Sequence, residues 1–277
     1  LYPTYPPYHT GDYLEDYFYK KFLNNDSIDN IYYIPVSWTT VYIQNLTNGL
    51  QQKLDSLDRN QRYFVVCQHD DAPKERLPPN CLVFAAGGNV KCKQTIPIPL
   101  ICSAIPDNIK NKNYQKKYIA SFVGSITHPI RQQLCNHYYN NKNFYICPKI
   151  WSSSVDKNNL DNFIRITQES YFTFCPRGYG LNSFRLYESF QLNSVPIIVS
   201  DNLYLPMAEV IDWNEISIIP KDLSSLEKNL IDIINNSYQT YMDKGYYAYN
   251  KYFTLDGLYT YILEKIKNHE KDITPGC

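Results

Sequence analysis

The stretch Phe174–Phe190, "FCPRGYGLNSFRLYESF", places Pro176, Arg177, two glycines, Asn182 and Ser183 between an apolar run that reads as a strand and a segment with helical spacing. A strand, a glycine loop and a helix in that order form half of a βαβ unit. In a parallel sheet, the loop at the carboxyl end of a strand is where ligands bind. Gly178 and Gly180 permit positive φ and close backbone approach, and Asn182 or Ser183 can cap the helix. A helix N-terminus behind such a loop suits an anion, and Arg177 and Arg185 can add charge-assisted bonds to a phosphate. Glu188 lies three residues after Arg185, on the same helical face. A carboxylate is a poor neighbour for phosphate and a good acceptor for paired sugar hydroxyls. The pattern therefore reads as a nucleotide site, with an Arg185–Glu188 surface ion pair as the plainer alternative.

The same alternation runs outward in both directions. Towards the amino end, strands are expected at 30–38, 62–73, 81–88, 118–125 and 143–147, with helices at 10–23, 39–57 and 128–141. Pro129 suits the first turn of the last of these helices. Towards the carboxyl end, strands are expected at 195–200 and 215–220, and helices at 223–236 and 254–268. The polar, aperiodic segment 151–162 suggests a boundary, giving domains 1–155 and 156–277, with the final helix returning to the first. The expected fold is α/β, with two Rossmann-like domains facing across a cleft.

Bulk properties narrow the partners. Lysine plus arginine and aspartate plus glutamate both total 27 among 277 residues. That balance offers no electrostatic grip on nucleic acid or anionic lipid. No apolar run approaches the roughly 20 residues that span a bilayer. The eight cysteines are widely scattered, unlike a disulfide scaffold, which favours a reducing, cytoplasmic location. The first residue is Leu1, so a removed anchor with a Golgi-lumen location is the alternative.

The run from Tyr171 to Ile219 resembles the carboxyl-terminal half of the exostosin family of glycosyltransferases, with its C-P-[RK]-G, S-x-R-x-x-E, V-P-[VI]-I-[IV]-S-D and D-W blocks in order. "RYFVVCQHDDAP" (62–73) is similar to the family's H-D-x-A-P segment, and "SFVGSITHPIRQQL" (121–134) to its strand, glycine and arginine segment. The resemblance implies a GT-B architecture, a nucleotide-sugar donor such as UDP-xylose or another UDP-hexose or UDP-pentose, a glycan acceptor, and inversion at the anomeric carbon. It implies a donor site of Arg131, Arg177, Gly178, Tyr179, Gly180, Asn182, Ser183, Arg185, Glu188, Ser200 and Asp201. It also makes Asp70 the expected general base, with His69 and Asp12 as further candidates. Turn or capping roles remain open for Asp70 and Asp12, and a solvated helix position for Arg131.

No cofactor beyond the donor substrate is expected. "CQH" (67–69) and "CNH" (135–137) do not match zinc spacings, and no D-x-D occurs to hold a donor's cation, so transfer without metal is expected. Two other classes fit part of the sequence. "GYGLNS" approaches the G-x-G-x-x-G of a dinucleotide oxidoreductase, with Asp201 downstream, although Ser183 stands where the third glycine belongs. A catalytically inactive carbohydrate-binding protein is the other.

Overall fold

A computed structural model describes residues 14–25, 28, 30–89, 94–110, 112, 114–152 and 157–271. The elements in chain order are α1 (Leu14–Asn25), β1 (Tyr32–Tyr33), α2 (Trp38–Ile43), α3 (Leu50–Asp55), β2 (Tyr63–Cys67), β3 (Cys81–Ala85) and β4 (Thr95–Pro97). They continue with α4 (Asp107–Lys110), β5 (Tyr118–Ser125), α5 (Pro129–Tyr138), β6 (Phe144–Lys149), α6 (Lys157–Gln168), β7 (Ser170–Pro176) and α7 (Phe184–Gln191). The chain closes with β8 (Val195–Val199), α8 (Trp213–Ile216), α9 (Leu226–Asn236), α10 (Tyr238–Tyr252) and α11 (Leu255–Lys271).

Two units carry these elements. The first holds the chain from α1 to Ile101 together with Lys251 onward, so α11 joins α1. Its sheet is parallel, in the order β1-β2-β3-β4. Alternation along β2 sends Tyr63, Val65 and Cys67 into a core with Trp38 and Leu54 of the short helices. Phe64 meets the aromatic cluster of Phe18, Phe22 and Tyr33 instead.

The second unit runs from Cys102 to Asn250 and has a parallel sheet in the order β6-β5-β7-β8. Phe122, Phe172, Phe174 and Ile197 are fully buried there, beneath Leu134 and Tyr138 of α5 and Leu226 and Leu230 of α9.

Four sequence expectations change. The boundary lies near residue 101 rather than 155, because β5 hydrogen-bonds directly to β7, with Tyr118 opposite Ser170, and so shares one sheet with it. Residues 157–162 of the polar stretch read as a linker belong to α6, whose buried residues Leu160, Ile164 and Ile166 fall mostly beyond that window. The single helix expected at 39–57 is two, interrupted where Asn45 and Gly49 take positive φ values of 54° and 74°. In place of a strand at 215–220, α8 ends at Ile216, capped at its start by Asp212, and only Ile218 bridges to Ile197.

Candidate functional site

In the second unit, the carboxyl ends of β5, β7 and β8 lie side by side, and side chains tie them together. Arg131, on α5, is buried. Its guanidinium donates to the carbonyls of Arg177 (2.9 Å), Ser125 (2.9 Å) and Pro176 (3.2 Å). It therefore braces two strand ends, and a solvated helix position is ruled out. Gly178 allows this, because a Cβ there would stand 2.9 Å from Arg131 Nη2 and 3.3 Å from Thr127 Oγ1. Neither Gly178 nor Gly180 has the positive φ expected of it, so the requirement at Gly178 is space rather than backbone freedom.

Arg185 is held from beneath. Its Nη2 donates to the Val123 carbonyl at 2.7 Å, and its guanidinium lies over Phe122 (5.1 Å) and Phe163 (5.7 Å). A Cβ on Gly124 would come within 2.3 Å of Nη2, so that glycine leaves Arg185 its path. Arg185 Nε is buried without a hydrogen-bond partner. Glu188 is partly buried one turn further on, with no hydrogen bond or ion pair to Arg185. Burial pushes its carboxyl above the usual glutamate range, against the opposing pull of Arg185. Cys102, Cys175 and Tyr249 lie close enough to feel its charge, although burial is the larger cause of their own upward shifts.

Arg177 donates from Nη1 to Asp201 Oδ1 at 2.9 Å, and from Nη2 and Nε to the carbonyls of Tyr179 (3.0 Å) and Gly178 (3.3 Å). The bond from Arg177 holds the Asp201 carboxyl below its usual range. The Asn182 side-chain oxygen accepts from Ser183 N–H (2.9 Å) and Tyr187 O–H (3.1 Å), which fixes the loop's exit. Ser183 is the N-cap of α7, yet its hydroxyl makes no capping bond. Tyr179 is exposed at the loop tip. Ser200 uses its hydroxyl in a turn with Asn202, donating to that carbonyl at 2.6 Å and accepting its N–H at 3.2 Å.

In the first unit, His69 and Asp70 follow β2. His69 Nδ1 accepts the Asp71 N–H at 3.1 Å, so the lone pair that a base would use is engaged. Burial also lowers the His69 pKa. Asp71 accepts from Asn89 Nδ2 (2.9 Å) and faces Lys74 (3.7 Å), the pattern of a turn residue. Asp70 follows His69 in the same loop, and Gly87 lies directly against its backbone. Asp12 lies outside the described residues. Among those residues, no three His, Cys, Asp or Glu side chains cluster as metal ligands.

Sequence reasoning passed over Glu15, whose side chain is buried and accepts from Thr39 N–H (2.9 Å), Thr39 O–H (2.9 Å) and Gln68 N–H (2.8 Å). It also passed over His128, the N-cap of α5. The signal for His128 was present, since the residue before an N1 proline is the cap position.

Two α/β units, each with a parallel sheet and candidate loops at the carboxyl ends of its strands, make up the described chain. The Exostosin GT47 domain matches residues 65–236, more than half of the chain, and the chain belongs to that glycosyltransferase family. A probable glucuronosyltransferase of Oryza sativa subsp. japonica is 30% identical over 131 residues, covering 47% of this chain and 26% of that protein. The exostosin-1 homolog of Caenorhabditis elegans is 28% identical over 141 residues, covering 43% of this chain and 35% of that one. The matches thus span between a quarter and about a third of those relatives' length. Among solved structures, an α1,3-fucosyltransferase gives a TM-score of 0.42 at 13% identity, covering 90% of this chain and 94% of that one.

Proposed function

We infer that the chain transfers a sugar from a UDP-sugar, such as UDP-xylose or another UDP-hexose or UDP-pentose, to a hydroxyl of a glycan acceptor, with inversion and without a metal ion. One observation carries the donor assignment: Glu188 is a partly buried carboxylate that makes no ion pair with the arginine one turn before it. A ribose diol supplies the two donors such a group lacks. Arg177 and Arg185 provide the positive charge for the diphosphate, in the role a cation would otherwise fill.

In the transfer itself, the acceptor oxygen forms a bond to the anomeric carbon while the bond from that carbon to the diphosphate oxygen breaks. Asp70 takes the acceptor proton, and the nucleoside diphosphate leaves with the bonding electron pair. The six described cysteines are free thiols, which supports a cytoplasmic location.

UDP is expected to raise the melting temperature well above any effect of NAD(H), because a ligand that binds only the folded state stabilises it. The reverse ranking would favour the oxidoreductase reading. Activity should survive excess EDTA, and an α-linked donor should give a β-linked product by NMR. A retained configuration would remove direct displacement.

A further inference from the structure

Three loops of the second unit meet at one carboxylate. His128 caps α5 with an extended backbone, and its Nδ1 accepts the Ile130 N–H at 3.3 Å. In the neutral imidazole this leaves the proton on Nε2, which lies 4.0 Å from Asp201 Oδ2. The other Asp201 oxygen accepts Arg177 Nη1 at 2.9 Å. Arg177 is held independently of that carboxylate, because its Nε and Nη2 also donate to the carbonyls of Gly178 and Tyr179. The two partners also differ in freedom: the Arg177 side chain is 14% exposed and that of Asp201 is 57% exposed. The donors are held by further hydrogen bonds, and the acceptor is the more exposed group.

We propose that Asp201 is an internal counter-anion occupying the place of a nucleotide phosphate, that a diphosphate displaces it, and that His128 Nε2–H and Arg177 Nη1–H then donate to the phosphate. This rests on the nucleotide-sugar reading and changes the role of Asp201 within it. Asp201 competes with the donor for the same N–H groups rather than holding the donor. His128 joins the site as a contact from the loop after β5. An exposed carboxylate turns away from its partner at small cost, so exchange with a dianionic group is feasible. No bond is made or broken in this step.

Calorimetry with two probes, inorganic pyrophosphate and UDP, tests the idea. In Asp201→Asn, the amide oxygen still accepts from Arg177 but the competing charge is gone, so both probes should bind about threefold or more tightly than to the wild type. His128→Asn keeps a capping oxygen for Ile130 and withdraws the Nε2 donor, so both probes should bind about fivefold more weakly at an unchanged melting temperature. Weaker UDP binding to Asp201→Asn would make Asp201 a positioning partner of Arg177, overturning the proposal while the nucleotide reading stands. Wild-type affinity in His128→Asn would likewise overturn it. Tighter pyrophosphate binding to Asp201→Asn, with UDP binding no better than pyrophosphate, would keep the exchange and remove the nucleotide reading. No binding of either probe to any variant would sink both.

Discussion

Each unit has a parallel sheet with loops at the carboxyl ends of its strands, and the braces at those loops carry opposite charge. At the carboxyl ends of β5 and β7, a buried cation, Arg131, donates to three backbone carbonyls. After β2, a buried anion, Glu15, accepts the N–H of Gln68 and both the N–H and O–H of Thr39. A buried cation at the strand ends adds positive charge beside the loop, which suits a phosphate. A loop whose N–H group is tied to a carboxylate keeps acceptors, which suits a hydroxyl that must lose a proton. Under the proposed function, the cationic brace goes with the donor loop and the anionic brace with the acceptor loop.

The comparison breaks most easily at Glu15. Glu15→Ala strands buried donors and should cost about 4 kcal/mol in urea unfolding. A loss below about 1 kcal/mol would mean that the carboxylate is not bracing anything. Arg131→Met should cost about 3 kcal/mol, because three carbonyls lose a charged donor, and Arg131→Lys should recover only part of that. If Arg131→Met is as stable as the wild type but fails to bind UDP, its main role is ligand contact and the symmetry between the braces disappears.

Asp70→Asn should lower turnover by about 10²-fold with donor affinity nearly unchanged, the usual scale for a positioned base. Activity that persists and tracks thermal stability would return Asp70 to a turn role.

A smaller effect is the loss of about tenfold in UDP affinity expected for Glu188→Ala. Glu188 also sets a pH dependence. Because its folded-state pKa is raised, the protein is relatively favoured while this group holds its proton, and that contribution is lost as pH rises through the raised value. Ligand binding at the proposed ribose site runs the other way, since hydroxyl donors are held best by the ionised form. UDP affinity should therefore climb with pH across that window, and Glu188→Gln should flatten the curve.

Much of this was legible in the sequence because strand, loop and helix periods are local. Phe174–Phe190 announced its loop and helix, and "VPIIVS" its strand. What sequence could not convey was where side chains go after leaving the backbone. Arg131 reads like any exposed helix arginine until its guanidinium is seen on the carbonyls of a strand distant in sequence. The same holds for Gly178, which looks like a turn glycine but is required as clearance for that guanidinium. The domain boundary was missed because strand pairing between β5 and β7 is a long-range fact, whereas the polar opening of α6 is a local one. Glu15 was hidden for a related reason: an acid in the first turn of a helix is ordinary, and only burial distinguishes this one.

Gly87 carries a consequence for genetics. A Cβ at that position would sit 2.2 Å from the Asp70 Cα and 2.9 Å from the Asp70 N and C, so any larger residue must push the Asp70 backbone aside. In a library of random substitutions, changes at Gly87 should therefore carry the phenotype of changes at Asp70: poor turnover with nucleotide binding intact. Second-site suppressors should then arise in the 68–71 segment, where the chain can make room, rather than among the neighbours of Gly87. A residue without a side chain would be inherited as though it were part of the acid loop.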